Sequence, residues 1–442
     1  MSTATDGLPP FDFAARRAQV LDQIGDGIAV FRAPPLAVHA NDVEYRYRPK
    51  SNFFYLTGFG EADAVAVLDG SAEAEKFVLF VQPRDPNREQ WTGSRAGVEG
   101  AIEQFGADAA YPMEQLPRQL IPRITHAGAL HYRLGHDEAF NHRLLEMAKT
   151  AWASRPRTAN DQPTSLIDSG PLVYELRLKK SEQEIAWLQG AIDIAAQAHI
   201  AALKETRPGQ SEYEIEALVE YTFRRRGASG WAYPSIIAGG SNATVLHYID
   251  NEGPLRDGEL LLIDAGCELG YYCADITRTF PIGRDFAPAQ RRIYDLVLAS
   301  QEAAIDVVRP GATVDEVHER AVEVLVEGLL SLDLIPGADV ATAVAADDYK
   351  KFYMHRTSHW LGMDVHDVGA YNVGGSPRPL EPGMVLTVEP GLYFAPSVDG
   401  VPDEYRGIGI RIEDDVLVTD DGCSVLSAAV PKQPDEMLAL RG

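Results

Sequence analysis

Four acids stand where apolar strands end or turn: Asp264 in LLLIDAG, Asp275 in YYCADITRTF, Glu389 in VLTVEPG and Glu413 in GIRIEDDVLV. The stretch LLLIDAGCELGYYCADITRTF has two strand-like arms around Glu268-Leu269-Gly270 and reads as a β-hairpin, with Asp264 and Asp275 on opposite arms. If both face the core, their mutual repulsion raises one pKa or demands a cation. Glu389 and Glu413 each follow a strongly apolar run, where an uncompensated charge costs several kcal/mol. Four such carboxylates, if they converge, stay ionised only with dications. Asp and Glu bridge paired metals through both oxygens, so the set points to a binuclear site for water activation.

Between these acids lies MHRTSHWLGMDVHD, which holds His355, His359 and His366, three of the chain's 11 histidines. The spacing of His355 and His359 can put two imidazoles on one helical face, but no Glu completes the H-E-x-x-H of a zinc protease. Metal ligation or acid/base work is one reading, and structural histidines packed beside Trp360 are the other. One imidazole among four carboxylates makes a hard site, suited to Mn²⁺ or a similar ion. The sequence holds no G-x-S-x-G elbow, no Walker A loop and no G-x-G-x-x-G after a strand.

The elements around these residues repeat. Ser181-x-x-Glu184 and Ser211-x-x-Glu214 are capping boxes opening two helices, and Thr313-x-x-Glu316 opens another after a helix over Arg292–Val308. Arg207-Pro208-Gly209 and Arg309-Pro310-Gly311, 102 residues apart, precede corresponding helices. Asp257-Gly258-x-x-Leu261-x-x-Asp264-x-Gly266 is answered by Pro382-Gly383-x-x-Leu386-x-x-Glu389-x-Gly391. The ordered match predicts a duplicated domain with pseudo-twofold symmetry and its acids near the axis.

The N-terminal part alternates a helix over Phe13–Ile24 with short apolar strands at Ile28–Phe31, Ala64–Leu68 and Phe77–Val81, a small α/β domain. Ser154–Pro171 is rich in Pro, Ser and Asp and marks a boundary there or just after it. We therefore divide the 442 residues into an N-terminal α/β domain over 1–174 and a second domain over 175–442.

Composition bounds the partners. A formal net charge of −25 repels phosphate backbones and anionic lipid, which excludes nucleic acid and membrane surfaces. With 45% apolar and 24% charged residues the chain is neither fibrous nor wholly disordered. Cys267, Cys273 and Cys423 form no C-x-x-C pair and read as small buried hydrophobes in a reducing compartment. The first residues lack the apolar core of a signal peptide, and no run matches a membrane helix, so the expected location is the cytoplasm.

These residues closely resemble the aminopeptidase P (Xaa-Pro aminopeptidase) family of pita-bread metallopeptidases, over nearly the whole chain. YRYRPKSNFFYLTGFGEADAVAVL is similar to the family's first-domain segment Y-R-x-x-S-x-F-x-Y-L-T-G-F. LLLIDAGCELGYYCADITRTFPIGRDF, MHRTSHWLGMDVHDVG, LTVEPGLYFAP and GIRIEDDVLVT resemble the catalytic blocks in order, and H-x-x-S-H-W-L-G-x-D-V-H-D is closer to bacterial members than to prolidases. Arg356-Thr357 depart from the smaller or apolar residues expected there.

The resemblance implies a two-domain α/β protein, the second domain being the pita-bread catalytic domain, a duplicated α+β unit. It implies five metal ligands for two divalent ions, most often Mn²⁺. Asp275 and Glu413 would bridge, Asp264 would complete one site, and His359 with Glu389 the other. His247 and His366 would stabilise the oxyanion or orient substrate, beside a further active-site histidine, His355. Glu389 would shuttle a proton to the departing proline nitrogen, and Arg411 would orient ligand carboxylates. Tyr393 is either a pocket-wall contact or a core aromatic. The implied reaction releases the first residue of peptides with proline second. The family's dimers or tetramers would let the Trp91 loop reach a neighbouring active site, unless that ring is partly buried in its own domain. A prolidase, cleaving only dipeptides, and a pita-bread binding module without activity are the alternatives.

Overall fold

The computed structural model describes residues 7–135, 137–154 and 165–441. Most of the Pro- and Ser-rich boundary stretch, 155–164, and the first six residues lie outside the described residues. The chain divides into two compact units, one of Phe11–Leu176 and one of residues 177 onward with 7–10.

In the first unit a mixed six-stranded sheet runs Ala109–Pro112, Phe77–Val81, Ala64–Asp69, Ile28–Ala33, Leu130–His131, Leu166–Ile167. Its central strands pair antiparallel and its outer ones parallel. Ala64–Asp69 and Phe77–Val81 are buried at every position, so they read as continuous apolar runs rather than alternating ones. Helices Leu116–His126 and Glu138–Ala153 cover one face with Leu120, Ile124, Phe140, Leu144 and Met147. Trp91 sits on the short helix Pro86–Thr92, not on the expected loop. Asp85 caps its N-terminus and Pro86 takes the first turn. The indole is 89% exposed, which removes the reading of a partly buried ring.

The second unit carries the duplication. Helices Glu182–Glu205 and Glu212–Arg225 precede the antiparallel strands Ile236–Gly239, Leu260–Asp264 and Thr277–Pro281; helices Pro288–Ile305 and Val314–Ser331 precede Val385–Val388, Asp414–Val418 and Cys423–Val425. The halves match in backbone detail. Gly209 N–H donates to Leu255 O and Leu255 N–H to Gln210 O; Gly311 N–H donates to Leu380 O and Leu380 N–H to Ala312 O. Gly209 and Gly311 have φ of 94° and 88°, a left-handed turn that favours glycine at both RPG sites. The halves join where Thr277 bridges Glu413, with Glu413 N–H donating to Thr277 O at 3.1 Å. The acids therefore collect at the seam between the halves.

The predicted hairpin forms, with its tip at Gly270–Tyr271 and its ladder broken at 265–266 and 274–276. Asp264 faces Thr277 across the ladder, while Asp275 lies in the break. At Gly266 a Cβ would stand 1.7 Å from Ala274 O, so only glycine allows this crossing. Gly266→Ala is expected to lower stability by about 3 kcal/mol through overpacking. Thermal melting checks it, and an unshifted midpoint contradicts the close crossing.

Candidate metal centre

Three of the acids reach the seam from strand ends held by apolar neighbours, and Asp275 reaches it from the break before Thr277–Pro281. Asp264 ends Leu260–Asp264, Glu389 follows Val385–Val388, and Glu413 precedes Asp414–Val418. His359 lies beside them on extended chain, because Thr387 N–H donates to His359 O and Trp360 bridges Leu386. Residues 354–371 contain no helix, so His355 and His359 do not share a helical face. The segment is irregular, with a single bridge at Trp360, and a spacing of four there has no rotational meaning.

The five residues come together. Asp275, His359 and Glu413 offer ligand atoms all within 4.8 Å of one another. His359 Nε2 lies 3.3 Å from Asp275 Oδ2 and 3.4 Å from Glu389 Oε1. Arg411 Nη2 donates to Asp264 Oδ2 at 2.6 Å and its Nε to Thr277 Oγ1, which donates to Glu413 Oε2 at 2.6 Å. Arg411 Nη1 also donates to the Tyr393 hydroxyl, which lies 2.9 Å from His355 Nε2. Tyr393 is thus a buried link between a guanidinium and an imidazole. Tyr233, unremarkable in the sequence, donates to Asp264 at 2.6 Å and also reaches Asp275.

A cavity of about 490 Å³ opens on this wall, lined by Asp264, Asp275, Glu389 and Glu413 and by all four histidines, His247, His355, His359 and His366. His366 packs edge-on to His359 with ring centroids 4.4 Å apart. His247 comes from a loop between Thr244 and Leu260.

The electrostatics are those of crowded acids. Burial, with Asp275, Glu389 and Asp264 nearby, holds the Glu413 carboxyl well above the usual carboxylate range. Burial raises Glu389 to about 7 against the pull of His359 and Arg411, and it raises Asp264 against Arg411. Burial works against a charge on His359, yet Asp275 and Glu389 raise it to about 9. His355 is pushed down to about 4 by burial and Arg411. Four carboxylates against one guanidinium and one imidazole leave an excess of negative charge in a desolvated wall. Oxygen donors with one imidazole are a hard donor set, so the residues fit divalent cations.

Residues 186–420 match the family model described as metallopeptidase family M24, and residues 13–131 match the aminopeptidase P N-terminal domain. The chain belongs to metallopeptidase family M24. Within it, the chain lies with the aminopeptidase P proteins. It is 43% identical over 432 residues to an Xaa-Pro aminopeptidase of Escherichia coli, covering 97% of each chain. The Pseudomonas aeruginosa aminopeptidase PepP structure superposes with a TM-score of 0.94 at 46% identity, covering 97% of both chains. The E. coli aminopeptidase P structure with the inhibitor Pro-Leu superposes at 0.92, with 42% identity and 97% coverage of both chains. M24 membership in this branch makes the chain a metallo-aminopeptidase, a hydrolase with the two-domain α/β pita-bread fold. A binding module without activity is thereby set aside.

Proposed function

We propose that the chain removes the N-terminal residue from peptides with proline second, using two divalent ions, Mn²⁺ above all, held by Asp264, Asp275, His359, Glu389 and Glu413. The single observation carrying this reading is the convergence of Asp275, His359 and Glu413 donor atoms within 4.8 Å, beside two further acids on one cavity wall. Asp275 and Glu413 would serve both ions, Asp264 would complete one site, and His359 with Glu389 the other. Bound there, the ions would supply Lewis acidity and lower the pKa of an attacking water.

The protein's own groups do the rest. Glu389, on the cavity wall, takes a proton and delivers it to the departing prolyl nitrogen, which has no N–H and leaves poorly unless protonated. His247 and His366, both on the cavity wall, steady the carbonyl oxygen as it gains charge. Arg411 fixes Asp264 directly and Glu413 through Thr277, and its bond to Tyr393 carries that order to His355.

The reading extends to a cytoplasmic homo-oligomer, dimer or tetramer, whose residues 1–174 serve assembly and substrate access. The exposed Trp91 indole suits a contact with a neighbouring subunit. No helix among the described residues is long and apolar enough to cross a membrane. The test is amino-acid release from an Xaa-Pro-Pro tripeptide and an Xaa-Pro dipeptide, with Mn²⁺ and after chelation. Chelator-sensitive release from the tripeptide is expected. Release from the dipeptide alone moves the assignment to a prolidase.

A further inference from the structure

His247 is exposed, so its place at the cavity depends on the backbone that bears it. That backbone is held from the start of the helix Glu212–Arg225. Glu212 is fully buried, and its carboxylate accepts four hydrogen bonds. Oε1 accepts from Gly239 N–H at 2.7 Å and Asn242 Nδ2 at 2.8 Å; Oε2 accepts from the Tyr248 hydroxyl at 2.8 Å and from Gly253 N–H at 2.5 Å. Glu212 N–H also donates to Gly253 O at 2.9 Å. One side chain thus grips the loop before, beside and after His247.

The packing admits no looser arrangement. A Cβ at Gly253 would stand 2.8 Å from Glu212 Oε2, so backbone and carboxylate meet without a side chain between them. The duplication supplies an internal control. By the 102-residue offset of the RPG sites, Glu212 corresponds to Val314, a buried apolar residue opening the helix Val314–Ser331. The helix start therefore accepts a plain aliphatic side chain. Burying a carboxylate instead costs several kcal/mol unless its oxygens are fully bonded, so the acid in the first half answers to the loop and not to the helix. The corresponding loop of the second half, which carries His366, is tied differently: Asp367 accepts from Arg177 and, at 3.1 Å, from Lys180.

We propose that Glu212 is a positioning residue for the reaction, locking the 239–253 loop so that His247 stands over the metal wall. The proposal rests on the role given above to His247. It takes no part in ligand binding, so metal affinity and loop order separate it from that reading.

The test compares Glu212→Gln and Tyr248→Phe with the parent enzyme, each also combined with His247→Ala. Hydrogen exchange, Mn²⁺ affinity by calorimetry and Xaa-Pro-Pro kinetics are the readouts. Glu212→Gln turns an amide N–H₂ toward two of the four donors. Exchange over 239–253 should accelerate about tenfold or more with the rest of the unit unchanged. Mn²⁺ affinity should stay within about twofold, while kcat/KM falls about 10- to 100-fold. On the His247→Ala background the further loss should shrink below about threefold, because the positioned group is gone. Tyr248→Phe removes one bond, preserves the fold, and should show the same pattern more weakly if Glu212→Gln does not fold. Unchanged loop exchange, or an undiminished loss on the His247→Ala background, overturns the proposal. A neutral His247→Ala with normal Mn²⁺ binding instead removes the role of His247, and with it the catalytic consequence of the clamp.

Discussion

Glu413→Gln should lower kcat/KM by at least about 10³-fold, about 4 kcal/mol of transition-state stabilisation, while making the metal-free protein more stable at pH 8. The two effects have one cause. Burial first, and then the charges of Asp275, Glu389 and Asp264, hold the Glu413 carboxyl well above the usual range. The amide keeps the shape and still accepts from Thr277 Oγ1, but removes one charge from the crowd. The folded apo-protein is relieved, and the ligand proposed to serve both ions is lost. Activity assays with Mn²⁺ and melting curves in chelator check both halves. A variant that keeps a tenth or more of the activity with a full complement of metal contradicts the ligand set.

The second large effect is the pH dependence of the metal-free fold. Glu389 rises from an ordinary 4.5 to about 7 in the folded protein, so the native state binds its proton more tightly than the unfolded chain does. Its contribution is fully present below 4.5 and is lost as pH climbs through 7. His359, raised from 6.5 to about 9, adds stability that is present below 6.5 and lost as pH rises through 9. Both signs agree. The chelated protein should lose roughly 5 °C or more in Tm between pH 5 and pH 8.5. Mn²⁺ displaces those protons, so the Tm gain from added metal should grow over the same interval. Parallel curves with and without metal contradict a carboxylate–imidazole cluster as the binding site.

How far the sequence reached depends on the range of the interaction. The acids were legible because a charged residue at the end of LLLI, VLTV or GIRI breaks a pattern set by strand burial, and that pattern is local. The RPG repeats exposed the duplication because a left-handed glycine before a capped helix is a short-range signature. The loop around His359 misled because its backbone bonds go to Thr387 and Leu386, leaving no local period to read. Tyr233, Thr277 and Glu212 gave no signal, since their partners lie tens of residues away. The helix carrying Trp91 is signalled by Asp85 and Pro86 at its start, although its short polar sequence has no apolar period.

The most direct test of the central claim is a Mn²⁺ titration of chelator-stripped protein, followed by calorimetry in buffers of different ionisation enthalpy and by release from an Xaa-Pro-Pro tripeptide. Two ions per chain are expected, with proton release at neutral pH from Glu389 and His359 and activity that appears as the pair fills. Full tripeptide cleavage by metal-free protein, or binding without proton release and without activity, would contradict it.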